Sequence, residues 1–134
     1  MTLPFGNRRV SGPSWKGMAH TMPPTTRYKW GDVVLVLFPL TDVSGTQRRP
    51  GLVLFDSGDE DVVLARITTQ EARHLTDVRL PGWKGSGLIA ESVVRLSKVA
   101  TVKKSLVERR LGTLAVKDSA VVQRIWTRMF PAPR

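Results

Sequence analysis

Gly31-Asp32-Val33-Val34-Leu35-Val36-Leu37-Phe38-Pro39 is the stretch on which the fold of this chain turns. Its middle is an unbroken apolar run rich in β-branched side chains, opened by Gly-Asp and stopped by proline, the pattern of a β-strand. The run is far shorter than the roughly 20 apolar residues a membrane-spanning helix needs. After it, residues 40–47 read as a polar loop with Gly45 at its middle, and residues 51–55 as a second strand. Pro50 lacks a backbone donor and belongs at a strand's start, and it forces Arg49 before it into extended backbone. Turn chemistry over residues 56–60 leads to a third strand over residues 62–68. Period-two alternation puts Val63, Ala65 and Ile67 on one face of that strand and Leu64, Arg66 and Thr68 on the other.

Further along, short strands are expected near residues 78–80, 88–89 and 93–102, with a glycine-rich loop over residues 81–87. Residues 116–130 read as a helix, with Val121, Ile125 and Met129 at i, i+4 spacing, Val122 and Trp126 widening the stripe, and Arg124 and Arg128 off it. Pro131 ends it. Short strands throughout and one terminal helix predict a mainly β fold: a small, twisted, partly closed β-barrel with a C-terminal α-helix.

Residues 1–29 have a different texture. They hold Pro4, Pro13, Pro23 and Pro24 and no periodic apolar pattern, so they are expected to form a disordered tail, with the folded domain spanning residues 30–134. No apolar stretch there resembles a signal-peptide core, which points to a cytoplasmic protein rather than a secreted one. An organelle transit peptide, or an upstream start with Met18 or Met22 as the true first residue, are the other readings of this segment. The length of 134 residues suits one domain, and 41% hydrophobic with 24% charged residues is ordinary globular composition.

Twenty-one basic against eleven acidic residues give a formal charge of +10. Such an excess on a small domain suggests a polyanionic partner, most often nucleic acid, with an acidic membrane surface or acidic protein as rivals. The tail with Trp30 carries five bases and no acid, so the domain itself is moderately basic and the placement of its charges matters more than their sum. The absence of cysteine excludes disulfides, thiolate zinc sites, iron–sulfur clusters and cysteine nucleophiles. His20 and His74 are far apart, so no metal site and no cofactor are expected.

The usual catalytic sets are missing. Two histidines, one in the tail, yield no Ser-His-Asp set, and no glycine-rich phosphate loop with its lysine occurs. Asp59-Glu60-Asp61 reads as a solvated hairpin tip and His74 as an exposed residue. Trp30, Trp83 and Trp126 could stack on bases; Trp126 fits the packed helix face better, whereas Trp83, in the glycine loop, fits either role. What remains is a set of Arg and Thr residues at strand ends.

Those residues carry a resemblance. Gly31-Asp32-Val33-Val34-Leu35-Val36, Pro39, Gly45 and Arg48-Arg49-Pro50-Gly51-Leu52-Val53-Leu54 resemble the opening of MazF/PemK-like endoribonuclease toxins. The likeness continues through Ile67-Thr68-Thr69-Gln70, Leu80-Pro81, Trp83, Gly87-Leu88, Ser92-Val93-Val94-Arg95 and Arg110-Leu111-Gly112-Thr113-Leu114, covering about residues 30–130. The resemblance implies an SH3-like barrel that pairs into a homodimer, metal-independent cleavage of single-stranded RNA at short sequences, and a cognate acidic antitoxin that blocks the groove. It also implies a catalytic pair of Arg49 and Thr68, with Thr69 and Gln70 beside the scissile phosphate and Arg95 as a further catalytic arginine. Some members have an Asp two positions after that arginine and a His in the first loop; Ser97 and Val43 stand there in this chain.

The chemistry favours the same residues. In metal-free RNA cleavage the neighbouring 2′-OH is the nucleophile, leaving a 2′,3′-cyclic phosphate and a 5′-OH. The protein must align that hydroxyl, stabilise the phosphorane's extra charge and help the 5′-oxygen leave. An Arg fork suits phosphate, and a Thr hydroxyl adds a short donor. Arg49 is too weak a base at neutral pH for anything but charge stabilisation and proton donation to the leaving oxygen. A groove lined by Arg49, Arg66 and Arg95 is expected to hold the RNA, with Arg48, Thr69, Gln70, Trp83 and Ser97 as further substrate-contacting positions. A non-catalytic RNA- or antitoxin-binding module of the same fold is the alternative, and a relative of gyrase-poisoning toxins a third.

Overall fold

In a computed structural model, which describes residues 22–39 and 46–133, the apolar run forms β1 (Asp32–Pro39). His20, Val43, Gly45 and residues 1–21 of the expected tail lie outside the described residues. Val33 packs into one hydrophobic cluster while Val34 and Val36 pack into another, and all three are fully buried. Both faces of β1 are therefore covered, which explains why its sequence runs continuously apolar instead of alternating. Burying each of these valines contributes roughly 1.5–3 kcal/mol.

β1 pairs antiparallel with β2 (Thr46–Phe55) on one side and β6 (Val107–Thr113) on the other. With β3 (Asp61–Thr68), β4 (Asp77–Leu80) and β5 (Ser92–Lys103), the six strands form one antiparallel sheet in the order β4-β5-β3-β2-β1-β6. The sheet is not closed: β4 and β6 are its edges. Residues 81–87 reach from β4 to β6, and α1 (Val116–Arg128) packs beside them. The mainly β fold with one C-terminal helix is as expected.

The first cluster contains Val33, Leu52, Ile67, Leu80, Val94 and Val122. Val122 is the fully buried residue of α1, with Val121, Ile125, Trp126 and Met129 packed around it, while Arg124 and Arg128 are exposed. The helix ends at Arg128, short of the expected Phe130, because Pro131 disfavours helical backbone at the residue before it. Trp30 belongs to this cluster as well, and its indole Nε1 donates to Ser119 Oγ at 3.3 Å.

Two strand expectations are corrected, and a third strand, β6, has no counterpart among them. β2 starts at Thr46, so Arg48, Arg49 and Pro50 lie within a strand and pair with Leu37, Val36 and Leu35. No strand forms at residues 88–89: Leu88 is buried, but its N–H bonds back to Trp83 O at 3.0 Å, and Ile89 is 97% exposed. β6 carries Glu108, Arg109 and Arg110 on a sheet edge and was not recognisable by alternation.

The domain also begins before residue 30. The Met22 N–H donates to Val107 O at 2.9 Å, and the Tyr28 N–H donates to Asp56 Oδ2 at 2.8 Å. The Tyr28 ring joins the second cluster, which includes Val34, Val53, Leu64 and Val107, and lies under Lys104 Nζ at 5.9 Å and Arg110 Cζ at 5.1 Å. Lys104 and Asp56 form an ion pair at 3.0 Å with side chains 1% and 0% exposed. Arg110 binds Asp32 Oδ2 at 3.2 Å and Arg27 O at 3.0 Å. Composition alone placed residues 22–29 in the tail because their partners lie far along the chain.

Candidate active site

Strand register assembles the site. Across the sheet Gly51 faces Arg66, Arg66 faces Arg95, and Arg95 faces Asp77. Alternation along β2 puts Arg49 on the same face as Gly51, and alternation along β3 puts Thr68 on the same face as Arg66. The second hydrophobic cluster occupies this face further along, through Val53 and Leu64. Beyond it the face changes to three guanidinium groups and a threonine.

The arginines have few neighbours to offset them. Arg49 Nη2 donates to Gln47 Oε1 at 2.8 Å, and Arg95 Nη2 donates to Gln70 Oε1 at 2.9 Å. Desolvation, followed by the charges of Arg49 and Arg95, pushes the Arg66 guanidinium below its usual range. Among the described residues no carboxylate forms an ion pair with any of the three. Thr68 Oγ1 accepts the Gln70 N–H at 3.2 Å, which leaves its own O–H to donate elsewhere.

Gln70 links this group to a cavity of about 400 Å³, whose walls include Thr69, Gln70, Arg79, Trp83, Glu91 and Val93. The loop carrying Trp83 is clamped at both ends. At one end the Gly82 N–H donates to Asp118 Oδ2 of α1 at 2.9 Å. At the other, Gly87 has φ +85° and its backbone crosses β6 so closely that a Cβ there would lie 2.1 Å from Leu111 O; one on Gly112 would lie 2.5 Å from Ser86 O. Only glycines permit that approach. Between the clamps Ser86 is fully buried, with its Oγ on Gly82 O at 3.1 Å, and Lys84 Nζ sits 5.4 Å from the Trp83 ring centroid.

The structure thus gathers Arg49, Arg66, Thr68, Gln70 and Arg95 on one face and sets Thr69 and Trp83 in the adjoining cavity. Arg48 is not among them. One residue from Arg49 in a true strand, it faces the other way, and its Nε binds Glu108 Oε1 at 2.6 Å. Ser97 falls in an irregularity of β5 between the paired residues Arg95 and Val99, and is exposed. Trp30 and Trp126 are packing residues; His74 is exposed, as expected. Arg79 and Glu91 also line the cavity, and the sequence reading assigns neither to the site. The apolar–charged–apolar order of Val78-Arg79-Leu80 is the available signal for Arg79, since alternation turns that side chain away from the first cluster, which holds Val78 and Leu80.

Comparison with known proteins follows the same lines. Residues 29–130 match the family model for the PemK-like, MazF-like toxin of type II toxin–antitoxin systems. Among solved structures, an endoribonuclease in complex with its cognate antitoxin from a mycobacterial species is similar, with 18% identity over 80% of this chain and 100% of that one and a TM-score of 0.63. The Mycobacterium tuberculosis toxin MazF-mt6 is 21% identical over 71% and 93%, with a TM-score of 0.57. The MazE-MazF structure from Deinococcus radiodurans is 18% identical over 76% and 94%, with a TM-score of 0.60. At these identities the likeness establishes a shared fold. No match is found among curated protein sequences.

Proposed function

The chain belongs to the PemK-like, MazF-like toxins of type II toxin–antitoxin systems, and we propose that it is a metal-independent endoribonuclease that cuts single-stranded RNA at selected sequences. The observation that carries this reading is the row of Arg49, Arg66 and Arg95, side by side on one face with no acidic partner among the described residues. Three guanidiniums held together against their own repulsion and not ion-paired to a carboxylate among the described residues fit an anion, and fork geometry fits phosphate.

In this mechanism Arg49 and Arg95 donate to the non-bridging oxygens and stabilise the phosphorane as its charge develops. Thr68 adds its free O–H as a shorter donor. Arg66 holds the backbone between them. The 2′-OH attacks phosphorus and releases its proton to water, the P–O5′ bond breaks as the 5′-oxygen takes up a proton, and the products are a 2′,3′-cyclic phosphate and a 5′-OH. A base beside the scissile phosphate enters the cavity, where Trp83, Thr69 and Gln70 contact it and make cutting selective. The same face, strongly cationic, attracts an acidic antitoxin segment that competes with RNA, and two copies of the chain form the working dimer in the cytoplasm.

Incubation of the purified protein with a long RNA in EDTA tests the reaction. Discrete fragments with 5′-OH ends are expected. Binding without fragments supports a non-catalytic module instead, and fragments that vanish with EDTA overturn metal independence. Binding to an uncleavable RNA should also weaken steeply with salt: three neutralised phosphates give a log–log slope of about −2. Arg48→Ala, with its side chain held by Glu108, should leave the slope unchanged; Arg66→Ala should flatten it by about 0.7.

A further inference from the structure

Arg95 is held incompletely, and so is the residue facing it. Its Nη2 is on Gln70, but its Nε is buried with no hydrogen-bond partner among the described residues. Across β4 and β5 its register partner is Asp77, whose Oδ1 is likewise buried and unpartnered. The other carboxylate oxygen of Asp77 is fixed: Oδ2 accepts the Arg73 N–H at 2.9 Å and the His74 N–H at 3.2 Å. Facing residues on antiparallel strands have Cβ atoms about 4.5–5.5 Å apart, well within the reach of an arginine and an aspartate. A buried donor and a buried acceptor left unpaired on facing residues each cost free energy, and such groups call for an explanation.

We propose that Asp77 is a positioning residue for Arg95: its Oδ1 accepts the Arg95 Nε–H when an RNA phosphate takes the Nη groups and draws Nη2 away from Gln70. The proposal rests on the endoribonuclease reading and assigns a partner to one of its arginines. With Oδ2 anchored by backbone N–H groups, Oδ1 presents an acceptor at a fixed position. A guanidinium held at Nε retains its two Nη groups for one phosphate, in one plane. In the free protein Gln70 Oε1 holds one arm of that fork, Nη2, and substrate must displace it. A carboxylate next to a phosphate site would repel RNA if it stood open; with Oδ1 buried and Oδ2 taken up by two backbone N–H groups, its free acceptor is left for the arginine.

Asp77→Asn is the discriminating variant. Its amide oxygen still accepts the Arg73 and His74 N–H groups, so the loop keeps its anchor, while its NH2 turns a second donor toward Nε. The expected result is a kcat for RNA cleavage about tenfold lower, the size of one charge-assisted hydrogen bond, with KM and thermal midpoint little changed. In an Arg95→Ala background the same substitution should cost nothing further. A second readout does not depend on cutting. With a 2′-O-methyl oligonucleotide bound, the Arg95 Nε–H resonance should move downfield and exchange slowly in the wild-type protein but not in Asp77→Asn. An undiminished kcat in Asp77→Asn, an equal loss with Arg95 absent, or an Nε–H signal indifferent to Asp77 overturns the proposal. A wild-type protein that shows the Nε–H change yet cuts no RNA retains this contact and removes the endoribonuclease reading alone.

Discussion

Arg49→Ala should lower kcat for RNA cleavage by about 10²–10³, the usual cost of removing one preorganised donor to a transition-state oxyanion. Arg49 has three features that favour a large effect. It sits beside Arg66 and Arg95 on one face, its side chain's only hydrogen-bond partner among the described residues is Gln47 Oε1, and it makes no contribution to either hydrophobic cluster. The far-UV circular dichroism and thermal midpoint should therefore match wild type. Relief of repulsion on Arg66 even favours the folded state slightly. Arg49→Lys keeps a charge but loses the planar fork, and should recover only a fraction of the rate. Arg48→Ala is the neighbouring control, since Arg48 faces Glu108 from the other side of β2. Equal losses from Arg48→Ala and Arg49→Ala would contradict the assignment made from strand alternation.

The largest effect on stability is expected from Asp56→Asn. Asp56 and Lys104 are buried together, and the same carboxylate accepts the N–H groups of Tyr28 and Gly58, each at 2.8 Å. Burial works against its charge, but those N–H groups and the Lys104 ammonium outweigh burial and hold the carboxyl below its ordinary range. Neutralising it strands a buried ammonium, which typically costs about 3–5 kcal/mol. For a domain of this size that lowers the thermal midpoint by roughly 10–20 °C. Replacing both partners by Asn and Met should cost clearly less than Asp56→Asn, because no unpaired charge stays behind. The sign with pH follows. A carboxylate whose folded pKa is depressed contributes fully above its unfolded value, about 4, and loses that contribution as pH falls through the folded one. Wild-type stability should drop on acidification over that range, and Asp56→Asn should flatten the curve. An identical pH dependence in the two proteins would show that another group governs acid unfolding.

Much of this architecture could be read from the chain, and the misses have a common cause. β1 declared itself as an unbroken apolar run because both its faces are covered, and β3 and the α1 stripe because burial on a face leaves a period in the sequence: Val63, Ala65 and Ile67 on one side, Val121, Val122 and Ile125 on another. β6 left no period because its exposed edge carries Glu108, Arg109 and Arg110. Leu88-Ile89 imitated a strand with only one of its two apolar side chains buried. The arginines were legible as residue types, but the difference between Arg48 and Arg49 depended on where β2 begins. Starting the strand at Gly51 left both at its entrance with no face assigned, whereas starting it at Thr46 gives them opposite faces. Arg79 and Asp77 matter through pairing between β4 and β5, and strand partners are not written into either segment alone.

The position of β1 has a consequence for how quickly the chain reaches this shape. Its hairpin with β2 can zip locally, but its other side waits for β6, and the Asp32–Arg110 and Trp30–Ser119 contacts join positions 78 and 89 residues apart. Closures over such separations are slow, in the millisecond-to-second regime of non-local β topologies. Until they occur, Val33 to Leu37 stands as a bare, uncharged strand edge, the kind of surface on which neighbouring chains pair and aggregate. The strand that makes the finished molecule most secure is also its most vulnerable surface while it is being made.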